Sequence, residues 1–259
     1  MIIIAVINQK GGVGKTTSVI NLGYSFHLLG FKTLLVDLDP QANLTSGLGQ
    51  SKTHAENVEN FLLSETITPL QIYDQLFLIP GCEELISFER EVLTKEQREY
   101  YLKNALAGQQ EFQLVLIDTP PALGILAINA LVASNLVLIP VQAEYYALEG
   151  LTSLLKTIDF VKQNCNQTLT CLGIFLTMFD NRTILSRQIE QDLRKNLGDL
   201  LFEVKIPRSV RVAESPSHSK PILEYDPSNI AGISYLNLAD KILQRIEKLD
   251  MELIIKKTG

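Results

Sequence analysis

Nine consecutive residues, Gln9-Lys10-Gly11-Gly12-Val13-Gly14-Lys15-Thr16-Thr17, set two cations and two hydroxyls around three glycines. Such a segment is equipped to hold a polyphosphate. Glycines let a backbone wrap an anion without Cβ clashes, and the unpaired N–H groups of a following helix point inward at the charge. On this reading Gly11, Gly12, Val13 and Gly14 form the cradle. Lys15 neutralises the β- and γ-phosphates, the Thr16 hydroxyl ligates Mg²⁺, and Thr17 reaches the α-phosphate. The strict phosphate-loop pattern asks for glycine at position 9, where this chain has Gln9. The second lysine, Lys10, stands five residues before Lys15. From there it does not easily reach the same phosphates from the same side.

Three carboxylates could serve such a ligand. Leu34-Leu35-Val36-Asp37-Leu38-Asp39-Pro40 is an apolar run ending in acids, and Leu114-Val115-Leu116-Ile117-Asp118-Thr119-Pro120-Pro121 is another. Acids at the carboxyl end of a parallel strand face the crevice where ligands bind. Asp39 is the candidate for orienting or deprotonating an attacking water. Asp37 is a candidate for helping to hold hydrated Mg²⁺, and Asp118 for holding it through water. The competing reading is that Asp37 or Asp39 caps the next turn. Pro40 stops the first strand, and Asn43 is expected in a polar loop.

Positioning these groups requires a scaffold. The strand candidates are 2–8, 33–37, 76–80, 113–118, 136–141, 171–178 and 202–206. Helical periodicity fits 15–29, 123–133, 148–163, 184–196 and 233–249. Strands apolar on both faces, such as Leu114-Val115-Leu116-Ile117, need helices on both sides. The expected fold is therefore α/β, a doubly wound, mainly parallel sheet with helices on both faces. No repeat or linker breaks the chain, so residues 1–259 are expected to form one domain.

Composition narrows the class. Hydrophobic residues make up 46% and charged residues 20%, an ordinary globular balance. Apolar runs such as Ile2 to Ile7 are too short to span a bilayer, and no basic region precedes that run as in a secretory leader. Cys82, Cys165 and Cys171 form no CxxC pair and read as reduced thiols, so a cytoplasmic location is expected. Residues 181–220 carry eight Lys/Arg against five Asp/Glu, a local +3 in a chain of net charge −6. The remainder is thus at −9.

The loop KGGVGKT resembles the deviant Walker A motif of ParA- and MinD-like ATPases. DLDPQANLTSGLG (37–49), IDTPPALG (117–124), IPVQAEYYALEGL (139–151) and IPRSVRVAESPSHSKPILEYDP (206–227) are similar to the ParA/Soj family of partition ATPases. Two departures stand in loops, Ala42 where the family has glycine and Ser209 where it has asparagine. The resemblance implies that Lys10 reaches across a dimer interface to the partner's nucleotide, as an arginine finger does. It implies ATP and Mg²⁺ as ligands and an ATP-bound homodimer with two nucleotides sandwiched. It implies double-stranded DNA bound without sequence preference through Arg182 and Arg211, hence a nucleoid-associated location. A ParB-type centromere-binding partner is implied to stimulate hydrolysis. The loop holding Pro207 and Ser209 is implied to lie near the adenine, so Arg211 could serve either DNA or nucleotide.

Three relatives compete. The iron protein of nitrogenase needs cysteines beyond Asp118 to bridge a cluster, and none lies between Cys82 and Cys165. A MinD-like positioning ATPase needs a C-terminal amphipathic helix that docks on membrane. Residues 239–253 carry an apolar stripe, Ala239, Ile242, Leu243, Ile246, Leu249 and Leu253, with Lys241, Arg245 and Lys248 off it. Such a stripe is expected to pack on the chain's own sheet, with no membrane partner. A biosynthetic P-loop enzyme would need a substrate pocket the sequence does not mark.

Overall fold

The computed structural model describes the backbone of residues 1–64, 67–144 and 147–258, and their side chains except those of 64 and 250–258. The strands are β1 (Ile2–Val6), β2 (Thr33–Asp37), β3 (Leu70–Tyr73), β4 (Leu76–Ile79), β5 (Leu114–Asp118), β6 (Leu136–Gln142), β7 (Thr170–Phe179) and β8 (Leu201–Pro207). They join one sheet in the order β3-β4-β2-β5-β1-β6-β7-β8. Among the described residues only β3 runs antiparallel to its neighbour. The helices between them are α1 (Lys15–Leu28), α2 (Asn43–Gly47), α3 (Val58–Ser64), α4 (Leu85–Val92), α5 (Tyr101–Leu106) and α6 (Ile125–Ala133). Further along come α7 (Ala147–Asn164), α8 (Ile184–Leu197), α9 (Val210–Glu214), α10 (Ile222–Tyr225) and α11 (Ile230–Thr258).

Alternate residues of the central strands feed opposite cores. Ile3, Ala5 and Ile7 join Val115 and Ile117 in one, while Ile4 and Val6 join Leu114 and Leu116 in the other. This two-sided burial is why the strands read as unbroken apolar runs. In α11, Ala239, Ile242 and Ile246 are buried in the second core. Those three stripe residues face the chain's own sheet; the Leu253 side chain lies outside the described residues, as do Tyr145 and Tyr146 of the 139–151 motif.

Sequence periodicity missed the small elements. β3 is a four-residue edge strand with only partly covered side chains, which leaves no alternation to detect. The stretch after Pro40, expected as a polar loop, holds α2. Its first turn is capped by a side chain from elsewhere: the Thr45 N–H donates to Asp37 Oδ2 at 2.8 Å. Ala42 precedes it in the left-handed region, φ 49° and ψ 43°, and is fully buried. A residue there carries strain that glycine avoids, so the departure at position 42 falls where backbone geometry favours glycine.

Candidate functional site

The strand order reverses at β1, whose neighbours β5 and β6 continue the chain on opposite sides, and the crevice at their carboxyl ends is where such sheets bind ligands. The glycine loop fills it. Gly12 at φ 75° and Gly14 at φ 86° occupy conformations that a Cβ would strain. A Cβ at Gly11 or Gly12 would meet nothing within 4 Å, so this side of the cradle is open. The other side is braced. Thr177 of β7 donates its hydroxyl to the Val13 carbonyl at 2.8 Å. The Asn8 amide donates to the Pro140 carbonyl of β6 at 2.7 Å, and the Thr119 hydroxyl to the Val6 carbonyl at 2.9 Å. Asn8, Thr119 and Thr177 carry no local signal of this role; partners more than a hundred residues away define it.

Lys15 opens α1 and is only 7% exposed. Its ammonium folds back toward the Lys10 carbonyl at 3.4 Å. Burial lowers its pKa, while Asp118 and Asp39 pull it back up. A buried cation with acids beside it and an open glycine loop before it is suited to receive phosphate charge.

The acids are set by sheet register. Asp37 and Asp118 are directly paired on adjacent strands and both are fully buried. They are not equivalent. Asp37 Oδ2 accepts from the Thr45 hydroxyl at 2.6 Å as well as the Thr45 N–H, and Oδ1 accepts from the Asp39 N–H at 3.3 Å. Burial pushes its pKa up to about 6 despite these donors. Both oxygens of Asp118 are buried without a hydrogen-bond partner. Burial and the neighbouring Asp37 raise its pKa well above the carboxylate range, with Thr16 and Lys15 opposing. Asp37 thus has donors that favour its ionised form, whereas burial and the charge of Asp37 both oppose ionisation of Asp118. An orphaned buried carboxylate beside a threonine hydroxyl fits a hydrated divalent cation, which would satisfy both oxygens. Asp37 has less freedom for that task, since it also holds Thr45, whose hydroxyl in turn receives the Gly81 N–H at 2.7 Å.

Asp39 caps the turn that follows it, Oδ1 accepting from the Gln41 N–H at 2.9 Å. Its Oδ2 has no hydrogen bond among the described residues. A cavity of about 460 Å³ opens beside Thr16 and Thr17, walled by Asn43 and Pro216 among others. Pro207 and Ser209 do not line it. Pro207 pairs with Phe179 at the end of β8, and Ser209 leads into α9.

Lys10 does not point into the cradle. Its ammonium is ion-paired with Glu144 after β6, both side chains nearly half exposed. Glu144 lies in the 139–151 segment, but nothing in the sequence marked it as a partner for Lys10. The two arginines considered for nucleic acid also have partners: Arg182 grips Asp180 through two nitrogens, at 2.9 and 2.8 Å, and Arg211 meets Glu214 and the Tyr225 hydroxyl, each at 3.3 Å. Arg182 remains 86% exposed. Together with Glu190, which binds both Arg194 and Lys205, these pairs mask much of the segment's local positive charge.

A glycine cradle at the switch point of a doubly wound sheet, opposite a buried strand-end carboxylate, defines a P-loop nucleotide-binding protein. Residues 1–171 match the family described as AAA domain. The chain is 45% identical over 246 residues to the sporulation initiation inhibitor protein Soj of Bacillus subtilis, covering 93% of this chain and 97% of that one. It is 44% identical over 251 residues to the chromosome-partitioning ATPase Soj of Treponema pallidum, covering 92% and 96%. Among solved structures, a cobyrinic acid a,c-diamide synthase of Mycobacterium smegmatis with bound ADP and magnesium superposes with a TM-score of 0.83 at 34% identity, covering 95% and 96%. The chain belongs to the Soj/ParA family of chromosome-partitioning ATPases.

Proposed function

We propose that this chain is a Mg²⁺-dependent ATPase of DNA partition, which forms a nucleotide sandwich dimer, binds DNA without sequence preference, and releases it on hydrolysis stimulated by a ParB-type partner. The observation that carries the nucleotide site is the unpartnered Asp118 carboxylate facing Lys15 across an open glycine loop. Gly11 to Gly14 wrap the phosphates, Lys15 pairs with the β- and γ-phosphates, and Thr17 reaches the α-phosphate. Thr16 and Asp118 would hold Mg²⁺, with Asp37 adding charge from the next strand. When bound, that cation neutralises the β- and γ-phosphate oxygens. Asp39 turns its free oxygen to the attacking water and accepts its proton. Pro207 and Ser209 approach the adenine from the end of β8.

Lys10 supports the sandwich by its position outside its own cradle. To reach a partner's nucleotide it exchanges Glu144 for phosphate. An exposed ion pair is worth about 0–1 kcal/mol, so this exchange costs little. Arg182 and Arg211, exchanging Asp180 and Glu214 for DNA phosphates, would give each subunit a small cationic face, and dimerisation would present two such faces together, raising avidity without a new contact type. Phosphate contacts carry no sequence information, which suits a whole chromosome as the surface.

Two other readings receive less support. Docking on a membrane would use the α11 stripe, yet Ala239, Ile242 and Ile246 are committed to the core, and no helix among the described residues is long and apolar enough to cross a membrane. Amide synthesis, which the Mycobacterium name would suggest, would need an activated thiol if it ran through a cysteine nucleophile. Here burial raises the thiols of Cys82 and Cys171 to about 11 and also lifts that of Cys165. The test is co-sedimentation of the full-length chain with duplex DNA and with anionic liposomes, with and without Mg-ATP. ATP-dependent capture by DNA is expected, and Lys15→Ala should lose both ATP and DNA. Capture by liposomes alone would replace this reading with membrane positioning.

A further inference from the structure

The end of the sheet remote from the glycine loop carries a second concave surface. β7 is 10 residues long, so its two ends stand about 30 Å apart at the rise of a strand. At its start, the residues leading into β8 and the middle of α11 line an open cavity of about 720 Å³, a size that suits a small molecule. Its walls carry Arg194 of α8 and Lys241, Arg245 and Lys248 of α11, against the acids Asp199 and Glu203. The three α11 cations stand at i, i+4 and i+7, on one helix face. They are the residues lying off the apolar stripe.

Arg245 is built into this wall. Its guanidinium stacks 3.8 Å from the Phe202 ring centroid and donates to the Leu172 carbonyl at 2.9 Å and the Leu200 carbonyl at 3.4 Å. Gly173 makes the room, because a Cβ there would stand 2.4 Å from the guanidinium. Among the described residues no carboxylate forms an ion pair with Lys241, Arg245 or Lys248. Burial lowers the Arg245 pKa, with Asp199 opposing. A half-buried cation already fixed in one geometry loses little further entropy on meeting an anion, and an anion relieves its uncompensated charge.

We propose that this cavity is a second ligand site, for a small anion carrying two or more phosphate groups. The Phe202 face is covered by Arg245, so the site selects phosphoryl charge and not an aromatic base. The distance from the glycine loop makes it separate from the nucleotide cradle, and from Arg182 at the far end of β7.

The test titrates inorganic tripolyphosphate, without metal, into the full-length Lys15→Ala chain, which lacks the main cation of the first site. Saturable binding near one equivalent is expected. Reversing the two exposed lysines, Lys241→Glu with Lys248→Glu, should weaken it about tenfold at low salt, since both lie within a Debye length of the anion. Arg182→Glu should leave it unchanged. Both lysines are exposed, so an unaltered melting temperature separates lost binding from lost fold; Arg245→Gln should act in the same direction. No saturable binding, or an affinity untouched by the double reversal, overturns the site. A double reversal that cuts duplex DNA binding but spares tripolyphosphate assigns the face to nucleic acid instead.

Discussion

Replacing Asp37 by asparagine should make the ligand-free protein more stable at pH 8, although Asp37 sits beside the proposed cation. Asp37 is fully buried and its pKa rises from 3.8 to about 6 on folding. A raised acid pKa means that the folded state holds its proton more tightly than the unfolded state. Its stabilising contribution is therefore complete below pH 3.8 and is lost as the pH climbs through about 6. About two pH units correspond to roughly 3 kcal/mol of destabilisation once the group is ionised. Asparagine removes the charge and keeps an oxygen for the Thr45 N–H and hydroxyl. Its amide then faces the Asp39 N–H, and that lost hydrogen bond costs about 1–2 kcal/mol. A net gain of roughly 1–2 kcal/mol remains, or about 3–6 °C in melting temperature for a chain of this size. Thermal unfolding without nucleotide or metal, from pH 4.5 to 8.5, reads the effect. Asp37→Asn should be no more stable than the parent at the acid end, where only the lost Asp39 N–H bond counts, and should exceed it above pH 6; its gain from added Mg-ADP should be smaller. A variant less stable than the parent at pH 8, with an unchanged pH profile, would refute the strained dyad and leave Asp37 as an anchor for Thr45.

Three further outcomes follow from particular residues. Asp39→Ala should retain ATP, slow turnover by at least about a hundredfold, the typical weight of a positioned base, and accumulate ATP-bound dimer on size exclusion; normal turnover with a ParB-type partner present removes it from catalysis. Ala42→Gly should change stability by less than about 1 kcal/mol, because relief of left-handed strain is offset by a lost buried methyl and a freer unfolded chain. Ala42→Ile at the same fully buried site should cost several kcal/mol in denaturant unfolding, and a mild effect would show that the 42–47 turn relaxes. Arg182→Glu should weaken binding to every DNA sequence alike and flatten the log–log salt slope of the dimer by about two, one phosphate contact per subunit; an unchanged slope makes Arg182 only a partner for Asp180.

Local pattern carried much of this protein. The loop from Lys10 to Thr17, the strand-end acids and the strands apolar on both faces each depend on neighbours within a few residues, so spacing alone reveals them. The position of α11's stripe was legible for the same reason, since a helix repeats every few residues and buries one face. Only the tertiary structure could decide what each group meets. Asp37 and Asp118 are far apart in the chain and become a dyad because parallel register pairs them. Their division of labour depends on Thr45, which satisfies one carboxylate and leaves the other unpartnered. Lys10 and Arg182 were readable as cations, but whether each is free or held was set by Glu144 and Asp180. The cavity that gathers Arg194 with Lys241, Arg245 and Lys248 has no sequence trace, because it forms only where α8 and α11 converge on the start of β8. Short-range propensity writes elements and loops into a sequence, whereas desolvation and charge pairing act between segments that folding brings together.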